Sequence, residues 1–171
     1  KSPNVAEVCA GQSLTLTGVT SGGGGTGTCT VEYSHNGGAW TTTLSPITAT
    51  VGTNSIAIRT NCNGSGCDIS TVNTYSWTVV ADPTISISGA TTICSGGTAS
   101  LTSSSSNGTG TCSYQWQSSP DQSTWTNVAT TQNYTTAALT STTYYRCIRT
   151  CDGSGCNTAT SNTVTVTVVA D

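Results

Sequence analysis

The chain has 171 residues, of which only 6% are charged, with a net charge of −3 and neither Met nor Phe. Four basic residues give no electrostatic footprint for nucleic acid, and no apolar run approaches the roughly 18 residues of a membrane span. Thr, Ser, Gly and Asn fill most polar positions while Val, Ile and Tyr supply much of the apolar set, a palette for strands and turns rather than for disorder or helix.

Taken in order, the first strand signal carries Leu14 and Leu16 on one face. Cys29, Val31 and Tyr33 make one face of the next strand. His35-Asn36-Gly37-Gly38 then turns the chain, and Trp40 stands just past the turn. Ile56 and Ile58 share a face of a late strand that runs to Cys62 and the CNGSGCD block, Cys62–Asp68. Residues 75–80, YSWTVV, alternate with period two and turn Trp77 inward. Asp82-Pro83 follows as a short stiff joint.

From there the whole series recurs. TVVAD occurs at 78–82 and 167–171, VCAGQSLTLT (8–17) matches ICSGGTASLT (93–102), and CNGSGCD matches CDGSGCN (151–157). GTGTC opens corresponding strands at 25 and 108. Ala99 and Leu101 stand for Leu14 and Leu16, and Tyr114 and Trp116 for Val31 and Tyr33. Tyr145 and Cys147 stand for Ile56 and Ile58, Trp125 for Trp40, and Val166 for Trp77. A self-similar period of this length means two copies of one unit. The expectation is an all-β chain of two tandem immunoglobulin-like β-sandwiches, 1–82 and 83–171, stabilised by disulfides. Several short strands at this spacing with Gly-rich turns indicate a sandwich, and cores of about 85 residues gain from crosslinks.

Nine cysteines in a chain of this size fit an oxidising, extracellular setting. The start, Lys1-Ser2-Pro3-Asn4, is no signal peptide, so the sequence reads as a mature chain or a piece of a longer one. Cys29 opens the third strand and Cys62 closes the sixth, and these strands are antiparallel neighbours in such a sandwich. Cys29–Cys62 and, by the repeat, Cys112–Cys151 are therefore the favoured bridges. Cys9, Cys67, Cys94 and Cys156 leave two alternatives open. They pair within domains, as Cys9–Cys67 and Cys94–Cys156. Or they bond across domain junctions, with Cys9 to Cys156 and Cys94 to Cys67 of the next unit, because Cys9 and Cys94 belong at the pole opposite the GSG loops. Cys147, the odd cysteine, reads as a free thiol packed as a small hydrophobe; an intermolecular bond is the alternative.

No catalytic set emerges. The acids, Glu7, Glu32, Asp68, Asp82, Asp121, Asp152 and Asp171, are scattered, and His35 is the only histidine, in a turn where solvation is expected. The paired cysteines lack metal-ligand spacing, so neither metal nor cofactor is expected. Trp40 and Trp125 are expected to cover the core, with sugar stacking as the alternative. Asn63, Asn107 and Asn133 head N-glycosylation sequons.

The block from Cys94 to Asp171, CSGGTASLT through YQWQSSPDQSTWTNV, YYRCIRTCDGSGC and TVTVTVVAD, resembles the immunoglobulin-like tandem repeats of giant cell-surface and adhesin proteins of Bacteroidota. Residues 1–82, with GTGTCTVEYS and SWTVVAD, resemble a second repeat type that alternates with the first. The resemblance implies export through the type IX route, a secreted or cell-surface location, and a spacer, adhesive or filament-forming role. The implied partners are neighbouring repeats of the same protein or a homo-oligomer, with a surface glycan or protein ligand as the other possibility.

Overall fold

In a computed structural model, residues 1–20, 27–64 and 71–170 are described. The chain divides into Lys1–Ala81 and Asp82–Asp171. The division falls one residue before the sequence-based boundary. Asp82 belongs to the second unit because its carboxylate accepts hydrogen bonds from the Asn157 backbone N–H (3.2 Å) and side-chain amide (2.6 Å).

Every regular element among the described residues is a strand. Domain 1 contains β1 (Glu7–Cys9), β2 (Ser13–Leu14), β3 (Cys29–His35), β4 (Trp40–Thr41), β5 (Ile47–Thr48), β6 (Gly52–Cys62) and β7 (Asn73–Val80). One sheet runs β1-β7-β6-β3-β4, and β2 pairs β5 across from it. The register sets Tyr33 opposite Ile58 and Ile56 opposite Tyr75. With side chains alternating between faces, this buries Asn54, Ile56, Ile58 and Thr60 along β6. The core comprises Val8, Leu14, Leu16, Ala49, Ile56, Ile58, Trp77 and Val79. The Trp77 indole N–H donates to the Pro3 carbonyl at 2.9 Å, so the large ring is buried without an orphaned donor.

Domain 2 contains β8 (Thr84–Gly89), β9 (Thr92–Cys94), β10 (Ser100–Ser106), β11 (Cys112–Ser119), β12 (Thr126–Ala129), β13 (Tyr134–Thr135), β14 (Thr143–Cys151), β15 (Ala159–Thr160) and β16 (Val164–Val169). One sheet runs β12-β11-β14-β16-β9 with β15 alongside β14; the facing sheet is β13-β10-β8. Between them lie Ile87, Ala99, Leu101, Trp116, Tyr145, Cys147, Val164 and Val166. Each domain is an immunoglobulin-like sandwich with its inward residues on facing sheets.

The two cores are filled differently. Domain 1 has Tyr33 in its middle strand and Trp77 in its last; domain 2 has Trp116 and Val166 at those places. Each interior thus holds one fully buried indole, carried by strands on different flanks of the central strand, β7 beside β6 and β11 beside β14. Close packing requires that kind of volume compensation.

Candidate functional site

The described parts of the repeated GTGTC and CxGSGC blocks make the same local contacts in both domains. In domain 2 the Asp152 carboxylate accepts the Thr111 N–H at 2.6 Å, and the Asp152 N–H donates to the Thr111 carbonyl at 3.0 Å. In domain 1 the Asn63 side-chain oxygen accepts the Thr28 N–H at 2.9 Å, and the Asn63 N–H donates to the Thr28 carbonyl at 3.2 Å. Gly110 and Gly27 stand at φ +78° and +92°, where a Cβ would run into Asp152 and Gly153, or into Asn63 and Gly64. Glycine is required there by both the backbone angle and the close approach. The rest of the domain 1 block, including Cys67 and Asp68, lies outside the described residues.

A disulfide closes each of these poles. Cys29 lies directly opposite Cys62 in the β3–β6 register, and Cys112 opposite Cys151 in the β11–β14 register. Both pairs are bonded. Cys9 and Cys156 are also disulfide-bonded. Cys94 overturns the within-domain pairing with Cys156: it is a free thiol in the single chain, exposed at the end of β9. Its distance from Cys156 within domain 2 follows from the register. Cys94 pairs with Val169, past the Thr143 end of β14, whereas Cys156 follows the Cys151 end. The length of β14, about 26 Å at ~3.3 Å per residue, separates the two ends, far beyond disulfide reach. Cys147 is a free thiol with no exposed surface, and burial pushes its pKa up to about 11.

Both surface tryptophans depart from expectation. Ser34 pairs with Trp40 one step from the inward Tyr33–Ile58 pair, so Trp40 lies on the outer face of its sheet and not over the core. There the Arg59 guanidinium stacks on its ring, 4.0 Å from the centroid. Arg59 Nε also donates to Glu32 at 2.8 Å, and the Asn61 amide donates to the other Glu32 oxygen at 3.2 Å. These bonds, that from Arg59 first, hold the Glu32 carboxyl below the usual carboxylate range. On the corresponding face of domain 2, Arg146 stacks on Trp125 at 4.1 Å. It is held by Gln117, whose side-chain oxygen accepts from Arg146 Nε at 2.8 Å and whose amide donates to Asn127 Oδ1 at 2.8 Å. Val31 also differs: at the pole end of β3 it is 39% exposed.

His35 ends β3 with its Nε2 buried and without a hydrogen-bond partner, not solvated in a turn. Arg149 is buried on the inner side of β14 and was missed by the sequence reading. Its Nη1 donates to the carbonyls of Thr84, Ser106 and Asn107 at 3.3, 2.6 and 3.0 Å. Alternation was the available signal, since 145, 147 and 149 share a face.

Among the described residues, no group of three His, Cys, Asp or Glu side chains is placed to hold a metal ion. A shallow groove of about 270 Å³ lies over Thr84, Ile85, Ser86, Ser104, Ser105 and Ser106, and offers hydroxyls rather than titratable groups. Asn107 and Asn133 are exposed, as is Asn63, whose sequon runs into the undescribed segment.

The fold and its disulfides define a pair of immunoglobulin-like modules of the extracellular type. The model of the family described as Domain of unknown function (DUF8696) matches residues 83–170, just over half of the chain, and the chain belongs to that family. No curated protein matches it. Among solved structures it is similar to an amphioxus IgVJ-C2 molecule, at 15% identity over 94% of this chain and 99% of that one, with a TM-score of 0.42. It is also similar to fibronectin(III)-like modules of Clostridium thermocellum CbhA, at 15% identity over 99% and 92%, with a TM-score of 0.40. A third is the ectodomain of mouse nectin-like molecule 4, at 13% identity over 94% of this chain and 65% of that one, with a TM-score of 0.41.

Proposed function

We propose that this chain is an extracellular structural repeat unit of a cell-surface fibre or giant adhesin, assembling head to tail with copies of itself or with neighbouring repeats. The observation that carries this reading is the contrast between two equivalent cysteines. Cys9 pairs with Val80 and Cys94 with Val169, the same place in the two domains. Cys9 is buried and disulfide-bonded, whereas Cys94 is an exposed thiol. A position used once and left open once is what a repeat unit has at its end.

In this scheme Cys9 and Cys156 tie one domain of the fibre to the next, and Cys94 joins a cysteine of the following copy. Sequence equivalence assigns that partner as Cys67. The joint forms when two thiols become one S–S bond and a small-molecule disulfide takes up the two electrons and two protons. Low charge, few Lys and Arg, and crosslinked sandwiches suit a fibre exposed to extracellular proteases.

Electron microscopy of the native material, with non-reducing gels of wild type and Cys94→Ser, tests the reading. Filaments, and ladders of covalent multimers that Cys94→Ser abolishes, are expected. Dispersed particles and a monomer band unchanged by the substitution would overturn it. The second reading, an adhesin module binding glycan or protein, is favoured by the Arg146–Trp125 stack.

A further inference from the structure

The two Arg–Trp stacks differ in one respect that bears on binding. In domain 1 the stacked Arg59 is neutralised by Glu32, the one ion pair among the described residues. In domain 2 the residue equivalent to Glu32 is Gln115, and the group holding Arg146 is the neutral amide of Gln117. Among the described residues no carboxylate pairs with Arg146. Its Nε is occupied, while Nη1 and Nη2 have no hydrogen-bond partner among the described residues.

The surroundings are ordered for recognition. Asn127, Gln117 and Arg146 are register partners across β12, β11 and β14, next to the inward Trp116–Cys147 pair, so all three point outward. The hydrogen bonds from Arg146 to Gln117 and from Gln117 to Asn127 fix their side chains in one row. Trp125 precedes β12 and extends that row. Fixing these side chains before binding removes part of the entropy cost of recruiting them.

We propose that this face of domain 2 binds an acidic oligosaccharide. The guanidinium edge receives the carboxylate or sulfate, and the amides and indole meet hydroxyls and ring carbons. Arg suits a planar anion because its donors form a fixed fork. A protein partner is disfavoured by the lack of apolar anchors: in domain 2 the exposed large hydrophobics among the described residues are Val128 and Val169 alone. The proposal concerns a single chain in solution and is independent of filament formation.

The test is calorimetric titration of the intact chain with three probes: a short oligogalacturonate, a heparin-derived oligosaccharide and a neutral cello-oligosaccharide. Saturable binding of either acidic probe is expected, and the carboxylate and sulfate arms identify which acid is preferred. Arg146→Gln should weaken that binding about tenfold or more, because one charge-assisted contact is worth about 1.4 kcal/mol or above. Trp125→Ala should weaken it too. Arg59→Gln, on the neutralised stack, should leave it unchanged, and thermal unfolding of each variant checks folding. Equal binding of the neutral probe, no binding of either acidic probe, or unchanged affinity in Arg146→Gln would overturn the proposal.

Discussion

Arg149 Nη1 donates to the Ser106 carbonyl at 2.6 Å across the interior of domain 2. The same atom reaches the carbonyls of Asn107 and Thr84, so one cation joins β14 to the ends of β10 and β8. Among the described residues no carboxylate pairs with it, and its charge is compensated by backbone dipoles. Replacing Arg149 with Met keeps much of the bulk but removes these donors. We expect Arg149→Met to destabilise domain 2 by roughly 3 kcal/mol, the scale of breaking a buried charged network. Urea unfolding of the full chain will measure it.

The Cys112–Cys151 bridge closes a sequence separation of 39 residues. The chain-entropy account of crosslinks assigns such a loop about 4 kcal/mol. The double substitution Cys112→Ala, Cys151→Ala should lower the stability of domain 2 by that order in non-reducing denaturant titrations. Cys29 and Cys62, separated by 33 residues, should behave alike in domain 1.

Thiol accessibility should separate Cys94 from Cys147. Brief alkylation of the native chain should label the Cys94 peptide, and Cys147 should be labelled only in denaturant, as read by peptide mass spectrometry.

Alkaline pH should weaken domain 2. Burial raises the Cys147 pKa from 9.0 to about 11 and that of Tyr145 from 10.0 to about 12. Both groups ionise first in the unfolded chain, which then binds fewer protons than the native state, so stability falls as pH rises. The loss should begin near pH 9 and continue to about 12. Cys147→Ala should show a shallower decline between pH 9 and 11 in parallel denaturant titrations.

Gly110 and Gly96 both have positive φ, +78° and +82°. A Cβ at Gly96 meets nothing within 4 Å, whereas at Gly110 it would strike the Asp152 carboxylate and the Gly153 backbone. Gly96→Ala should therefore cost about 1 kcal/mol of backbone strain, and Gly110→Ala clearly more. Thermal unfolding of the two variants compares them.

Sequence periodicity alone determined which residues face inward. Leu14, Leu16, Ile56, Ile58 and Trp77, and their counterparts Ala99, Leu101, Tyr145, Cys147 and Val166, are all buried, because strand side chains alternate strictly and a sandwich has one interior to fill. The same rule, carried one step further along β14, would have found Arg149. Alternation is silent on what lies across a sheet. The places of Trp40 and Trp125 follow short turns whose lengths shift the register, so only the strand pairing decided that they stack outward on Arg59 and Arg146. Cys94 shows the same limit. Its residue type and repeat position match Cys9, but bonding depends on which thiols come within reach, and that is a property of the tertiary structure.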